Sequence, residues 1–168
     1  MMAIHIRQVA PSDATAITGI YAQAVRDDTA TFEMEAPDEA AMAARIETIV
    51  NAGHPYLVAE LNGAVAGYAY ASTFRARAAF DLTLENSVYV APEAQRQGTG
   101  KALLSALIED ATARGFRQMV AVIGDSHTKQ ASIALHAALG FRTMGSLEAV
   151  GRKHGQWLDI MFMQRALR

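Results

Sequence analysis

The chain has 168 residues, 51% of them apolar, and a formal charge of −2 from 15 Lys and Arg against 17 Asp and Glu. This length suits one domain over residues 1–168 with a sizeable core, and the charge gives no basic footprint for nucleic acid or a membrane surface. The absence of cysteine excludes disulfides, thiolate metal ligands and a cysteine nucleophile, and no stretch approaches the ~20 apolar residues of a membrane span. No basic region followed by an apolar run opens the chain, so a secretory signal is not expected and a cytoplasmic location is. No metal site is expected either.

Ile4, Ile6 and Val9 alternate with polar residues and predict a first strand. Pro11-Ser12-Asp13 starts a helix, with Ser12 or Asp13 as its cap, and Ile17, Ile20, Tyr21, Ala24 and Val25 form its apolar face. A connection follows, carrying Phe32 either as a plug over the core or as part of a binding wall. Pro37 and Asp38 open a second helix with Met42, Ile46, Ile49 and Val50 on its inner face. Residues 55–61 and 64–72 read as two strands joined by Asn62-Gly63, a strong hairpin signal because a type I′ turn needs positive φ at both positions. After Phe74-Arg75-Ala76-Arg77 a further strand runs to Val90 and ends before Pro92. A helix from Gly100 to Arg114 stops at Gly115, and residues 116–123 read as a strand buried on both faces. A polar loop, a helix over 130–139 closed by Gly140, and strands over 141–150 and 156–165 complete the chain, with Gly151 and Gly155 between the last two. The order is β-α-α-β-β-β-α-β-α-β-β, a mixed α/β sheet, mostly antiparallel, flanked by helices.

The stretch that carries chemistry is Gln95-Arg96-Gln97-Gly98-Thr99-Gly100-Lys101, where a strand passes through a glycine loop into a helix. Unpaired N–H groups, the helix dipole and two cations at that point suit a pyrophosphate, although a short connection with glycines for steric reasons gives the same pattern. The loop is neither a Gly-x-x-x-x-Gly-Lys-Ser/Thr phosphate loop nor the three-glycine dinucleotide fingerprint. Gln95-x-x-Gly98-x-Gly100 resembles the acyl-CoA loop of the GNAT superfamily of N-acetyltransferases, and the element order is similar too. Ala30-Thr31-Phe32-Glu33, Gly67-Tyr68-Ala69-Tyr70, Phe74-Arg75-x-Arg77, Glu85-x-Ser87-Val88-Tyr89-Val90, Ser132-Ile133-Ala134-Leu135-His136 and Gly155-Gln156-Trp157-Leu158-Asp159 narrow the resemblance to phosphinothricin and methionine sulfoximine/sulfone N-acetyltransferases.

That resemblance implies a homodimer that acetylates the α-amino group of a small amino-acid analogue with acetyl-CoA. It implies that acetyl-CoA is held by Val88, Tyr89 and Val90, by residues 95–101 (Gln95, Arg96, Gln97, Gly98, Thr99, Gly100, Lys101) and by Ser132. Val88 would polarise the thioester carbonyl with its N–H. Glu85 is either a charge on the solvent face of its strand or a general base, and the resemblance selects the base. His136 is either a packed helical histidine or the donor to the departing thiolate. Arg75 and Arg77, pointing the same way in an extended chain, are a solvated pair or binders of the carboxylate and head group, with Phe32 walling the same pocket. Between Asp125 and Ser132 the family's usual Asn is missing and the segment is one residue longer, which leaves Ser132 as the loop's cofactor contact. Trp157 is either core or dimer interface. Competing readings keep the fold with another amine, a polyamine, aminoglycoside or protein N-terminus, or make the chain a non-catalytic acyl-CoA sensor.

Overall fold

A computed structural model describes residues 3–168. Its elements follow the predicted order: β1 (His5–Gln8), α1 (Ala14–Asp27), α2 (Glu39–Asn51), β2 (Tyr56–Leu61), β3 (Ala64–Thr73), β4 (Thr83–Val90), α3 (Thr99–Ala113), β5 (Gln118–Gly124), α4 (Gln130–Ala138), β6 (Arg142–Lys153) and β7 (Gln156–Ala166). The strands form one sheet in the order β1-β2-β3-β4-β5-β7-β6. β4 and β5 run parallel and the other neighbours antiparallel. Parallel neighbours need a crossover, which α3 supplies.

Each face of the sheet has its own core. Leu103, Leu104, Leu107, Ile108 and Ala111 of α3 pack on Leu57, Ala59, Ala69, Ala71, Leu84 and Met119. The three leucines are fully buried, each contributing roughly 1.5–3 kcal/mol of apolar transfer. Small residues on β3 let the helix come close: a Cβ on Gly67 would lie 2.9 Å from the Tyr89 carbonyl and 3.2 Å from Leu103 Cδ1. On the other face, Ile17, Tyr21 and Val25 of α1 and Met42 and Ile46 of α2 pack on Tyr56, Val58 and Tyr68.

Four local expectations change. Asp13 does not cap α1; its buried carboxylate accepts the Ala10 N–H at 2.7 Å and pairs with both amino groups of Arg7 at 2.8 and 2.9 Å, so α1 is entered through a 3-10 turn over Pro11–Asp13. Val50 is exposed, because α2 turns only Met42 and Ile46 fully inward. β5 alternates between buried Met119, Ala121 and Ile123 and half-buried Gln118, Val120 and Val122 rather than burying both faces. The packing explains this: α1 and α2 lie over β2, β3 and β4 and leave that face of β5 less covered. Gly151 lies inside β6, and the hairpin turn falls at His154 and Gly155, with φ of 50° and 75°.

Candidate active site

The site begins where the sheet splits. β4 pairs with β5 from Thr83↔Gln118 to Asn86↔Ala121, and the ladder ends there. At the ends of β4, the Ala91 N–H donates to the Ala66 carbonyl and the Thr83 carbonyl accepts from the Phe74 N–H. Backbone groups alternate sides along a strand, so the odd-numbered residues bond to β3 and the even-numbered ones face β5. Past Asn86, the N–H groups of Val88 and Val90 therefore point into the gap. A groove of about 610 Å³ runs from this gap to the start of α3.

The far end of the groove has the features of an anion site. Gly98, at φ 88°, turns the chain into α3, and no side chain caps the helix N-terminus. Arg96 also takes a positive φ of 58°. The Thr99 hydroxyl is tied to the Ala94 carbonyl at 3.1 Å and the Gln95 amide to the Val90 carbonyl at 3.4 Å, so the loop is set by its own side chains. Gln95, Arg96, Gly98, Thr99, Gly100 and Lys101 line the groove, as do residues 88–90 and Ser132. Gln97 is not among the lining residues; its amide donates to the Glu93 carbonyl at 2.7 Å. Open strand rungs followed by a cationic helix start fit the amides and pyrophosphate of an acyl-CoA. Among the described residues, no group of three or more His, Cys, Asp or Glu is placed to hold a metal ion.

Glu85 lies on the opposite face of β4, beside Ser72 of β3 and Val120 of β5. It is half-buried, and burial pushes its carboxyl above the usual value. A carboxylate made more basic by desolvation suits proton abstraction. All five tyrosines of the chain gather on this face: Tyr56 stacks on Tyr70 at 5.1 Å, Tyr68 on Tyr89 at 5.3 Å, and Tyr21 meets Tyr89 edge-on at 5.2 Å. Tyr21, Tyr56, Tyr68 and Tyr70 border a cavity of about 390 Å³ under α2 that reaches Arg45 and Ser72. The sequence reading missed this cluster. Its signal was the shared parity of Tyr68 and Tyr70.

His136 faces the groove side, 4% exposed, and its ring is fully engaged. Nδ1 lies 2.8 Å from the Ser132 carbonyl, which can only accept, so Nδ1 carries the proton. Nε2 then accepts from the Asn86 side-chain amide at 3.0 Å. Burial lowers the imidazole's pKa, partly opposed by the Ser132 bond, so the ring is neutral. Asn86, also unremarked in the sequence, keeps one buried carbonyl oxygen with no partner among the described residues. Its signal was a polar residue between Leu84 and Val88 on the core-facing parity of β4.

The arginine pair departs from the extended geometry expected of it. The Arg77 N–H donates to the Arg75 carbonyl at 2.8 Å, a three-residue turn that bends the chain at Ala76. Both arginines are exposed, and the Arg75 guanidinium lies 5.3 Å over the Phe74 ring. Phe32 is 42% exposed and so is not a core plug. A Cβ on Gly124 would come within 2.7 Å of its ring and one on Gly151 within 3.2 Å, so two glycines make its seat. Trp157 is 66% exposed and therefore not core, with Arg152 5.7 Å over its ring.

Comparison with known proteins agrees with this geometry. The acetyltransferase (GNAT) family matches residues 18–141. A phosphinothricin N-acetyltransferase of Alcaligenes faecalis is 48% identical over 98% of this chain and 83% of its own length. An L-methionine sulfoximine/L-methionine sulfone acetyltransferase of Pseudomonas aeruginosa is 41% identical over 97% of this chain and 94% of its own. The crystal structure of a GNAT superfamily phosphinothricin acetyltransferase from Sinorhizobium meliloti, in complex with acetyl-CoA, superposes with a TM-score of 0.95. It is 51% identical and covers 99% of this chain and 89% of that one. With the split strand, the glycine-led helix and these relatives in agreement, the chain belongs to the GNAT family of acetyltransferases.

Proposed function

We propose that residues 1–168 act as one domain that transfers the acetyl group of acetyl-CoA to the α-amino group of a small amino-acid analogue: methionine sulfoximine, methionine sulfone or phosphinothricin. The observation that carries this reading is the split between β4 and β5, with open N–H groups along one edge of β4 and a desolvated carboxylate at its apex. The acceptor class rests on the named activities of the relatives. Transfer is direct, within a ternary complex, because the chain has no cysteine to carry the acetyl group.

Each residue has one task. The Val88 N–H polarises the thioester carbonyl. Glu85 accepts a proton from the acceptor ammonium, directly or through a water, leaving a lone pair to attack. His136 starts neutral with Nε2 held by Asn86, so any proton it gives the departing thiolate must first reach it from solvent. Arg75 and Arg77 take the acceptor's carboxylate and polar head, and Phe32 walls the pocket. The exposed Trp157 hairpin supports a homodimer, and the cysteine-free chain suits the cytoplasm.

The test is CoA release from acetyl-CoA, followed with a thiol reagent, against the three analogues, ordinary amino acids, spermidine, an aminoglycoside and a peptide with a free N-terminus. Turnover of an analogue, with a raised acceptor KM in Arg75→Ala, is expected. Activity on spermidine, the aminoglycoside or the peptide alone would overturn the acceptor class and leave the acetyl-CoA groove intact.

A further inference from the structure

The connection between α1 and α2 is a wall shared by the two sides of the site. Asp28 and Ala30 line the acyl-CoA groove. Immediately after, Thr31 hydrogen-bonds Tyr21 of the tyrosine cluster at 2.9 Å, and Phe32 sits over Gly124 and Gly151. Residues 28–38 contain neither helix nor strand, so side-chain links must hold them. Two of these links cross to the loop between β5 and α4: Lys129 Nζ lies 2.7 Å from Asp28 Oδ1, and the Thr29 hydroxyl donates to Asp125 Oδ2. A third comes from below, where the buried ammonium of Lys153 donates to the Thr31 carbonyl at 2.9 Å.

Asp28 is prepared for its partner. Its carboxylate also accepts the Ala30 N–H at 2.7 Å, which fixes its orientation. Burial works against its ionisation, but Lys129 and the backbone donors outweigh that and hold the carboxyl below its usual range. Lys129 sits on the same groove wall as Thr128 and Ser132. Partly exposed pairs of this kind add little to overall stability. Their leverage lies in geometry, since small displacements of a positioning wall cost large factors in a reaction.

We propose that Asp28 and Lys129 are positioning residues for both substrates, their ion pair clasping the wall shared by the acyl-CoA groove and the acceptor face. The inference rests on the acetyltransferase reading above. It predicts a sign that simple electrostatics does not. Asp28 places a negative charge in a groove for an anionic ligand, so removing that charge alone would tighten CoA binding. A clasp predicts the reverse.

The experiment is a calorimetric CoA titration of the intact protein and of Asp28→Asn, Lys129→Met and the double variant, beside the two KM values and kcat. Each single variant weakens CoA binding about fivefold and raises the acceptor KM more than it lowers kcat. The double variant is no worse than the poorer single one, as expected for residues acting as a unit. Tighter or unchanged CoA binding in Asp28→Asn, or losses that add in the double variant, would overturn the clasp. The CoA titration needs no acceptor. Failure of every acceptor beside the expected CoA pattern would sink the acceptor reading and leave the clasp standing.

Discussion

The polar run Glu85-Asn86-Ser87 interrupts β4 where β4 and β5 part, and its first two residues carry the departure from an apolar strand. Glu85 is desolvated on one face, and Asn86 leaves a buried oxygen unpaired on the other. An unsatisfied buried acceptor costs about 1–3 kcal/mol, and such violations concentrate at functional sites. On the function proposed above, the two mark the site at some expense to the fold. For Glu85 the trade can be measured. Its folded pKa is raised, so its favourable contribution to stability is complete below the unfolded carboxyl value and is lost as pH rises through the folded value. Glu85→Gln should melt at or above the wild-type temperature at pH 7, and the gap should close near pH 4. The same substitution should cut kcat by about 10²–10⁴-fold, the usual worth of a general base. In the wild type, kcat/KM should fall on the acid side at a pH above the ordinary carboxyl range. Wild-type kcat in Glu85→Gln would remove Glu85 from the chemistry.

At the scale of elements, local signals were legible and contact-dependent ones were not. Asn62-Gly63 announced its turn because positive φ is a local demand, and the two residues take φ of 54° and 78°. The α3 face was legible because leucines at helical spacing have one way to be buried. The bend at Ala76 was not, since nothing in Phe74-Arg75-Ala76-Arg77 dictates a turn. Nor were the irregularities of β6. Between Leu147 and Gly151 the strand bulges against β7, and Ala149, at φ 50°, is held by a 2.8 Å bond from its N–H to Asp159. Phe32 carried both of its readings in sequence because its seat, Gly124 and Gly151, lies about a hundred residues away. That seat gives a second prediction. In Gly124→Ala the new methyl meets the Phe32 ring at 2.7 Å and the Ala30 carbonyl at 3.2 Å, so the ring must move. The acceptor KM should rise severalfold. The effect on kcat should be smaller, because Glu85 and Val88 stay in place. Unchanged acceptor KM would show that Phe32 walls nothing.

The whole molecule is a sheet that is intact at one end of β4 and open at the other. The four rungs from Thr83 to Asn86 join its two halves, while α3 lies beneath as common core. The element order was readable from hydrophobic period and turn residues, but the seam between β4 and β5 is set by where their pairing ends, at Asn86. The opening itself was not readable, because β4 looks the same in sequence whether or not its edge is paired. A ligand that pairs with the open rungs completes the sheet, so occupancy and stability must be linked. By mass action, ligand at a hundred times its Kd adds about 2.7 kcal/mol, which for a chain of this size is a Tm rise of about 5–10 °C. A thermal melt titrated with CoA should show that rise, increasing with concentration without reaching a plateau. Gly98→Val is the matching control: φ of 88° strains any L side chain, so the loop that opens α3 must distort. That variant should melt slightly lower without ligand and lose most of the CoA-dependent rise. A full rise in Gly98→Val would mean that the start of α3 contributes little to binding and that the open rungs of β4 hold CoA without it.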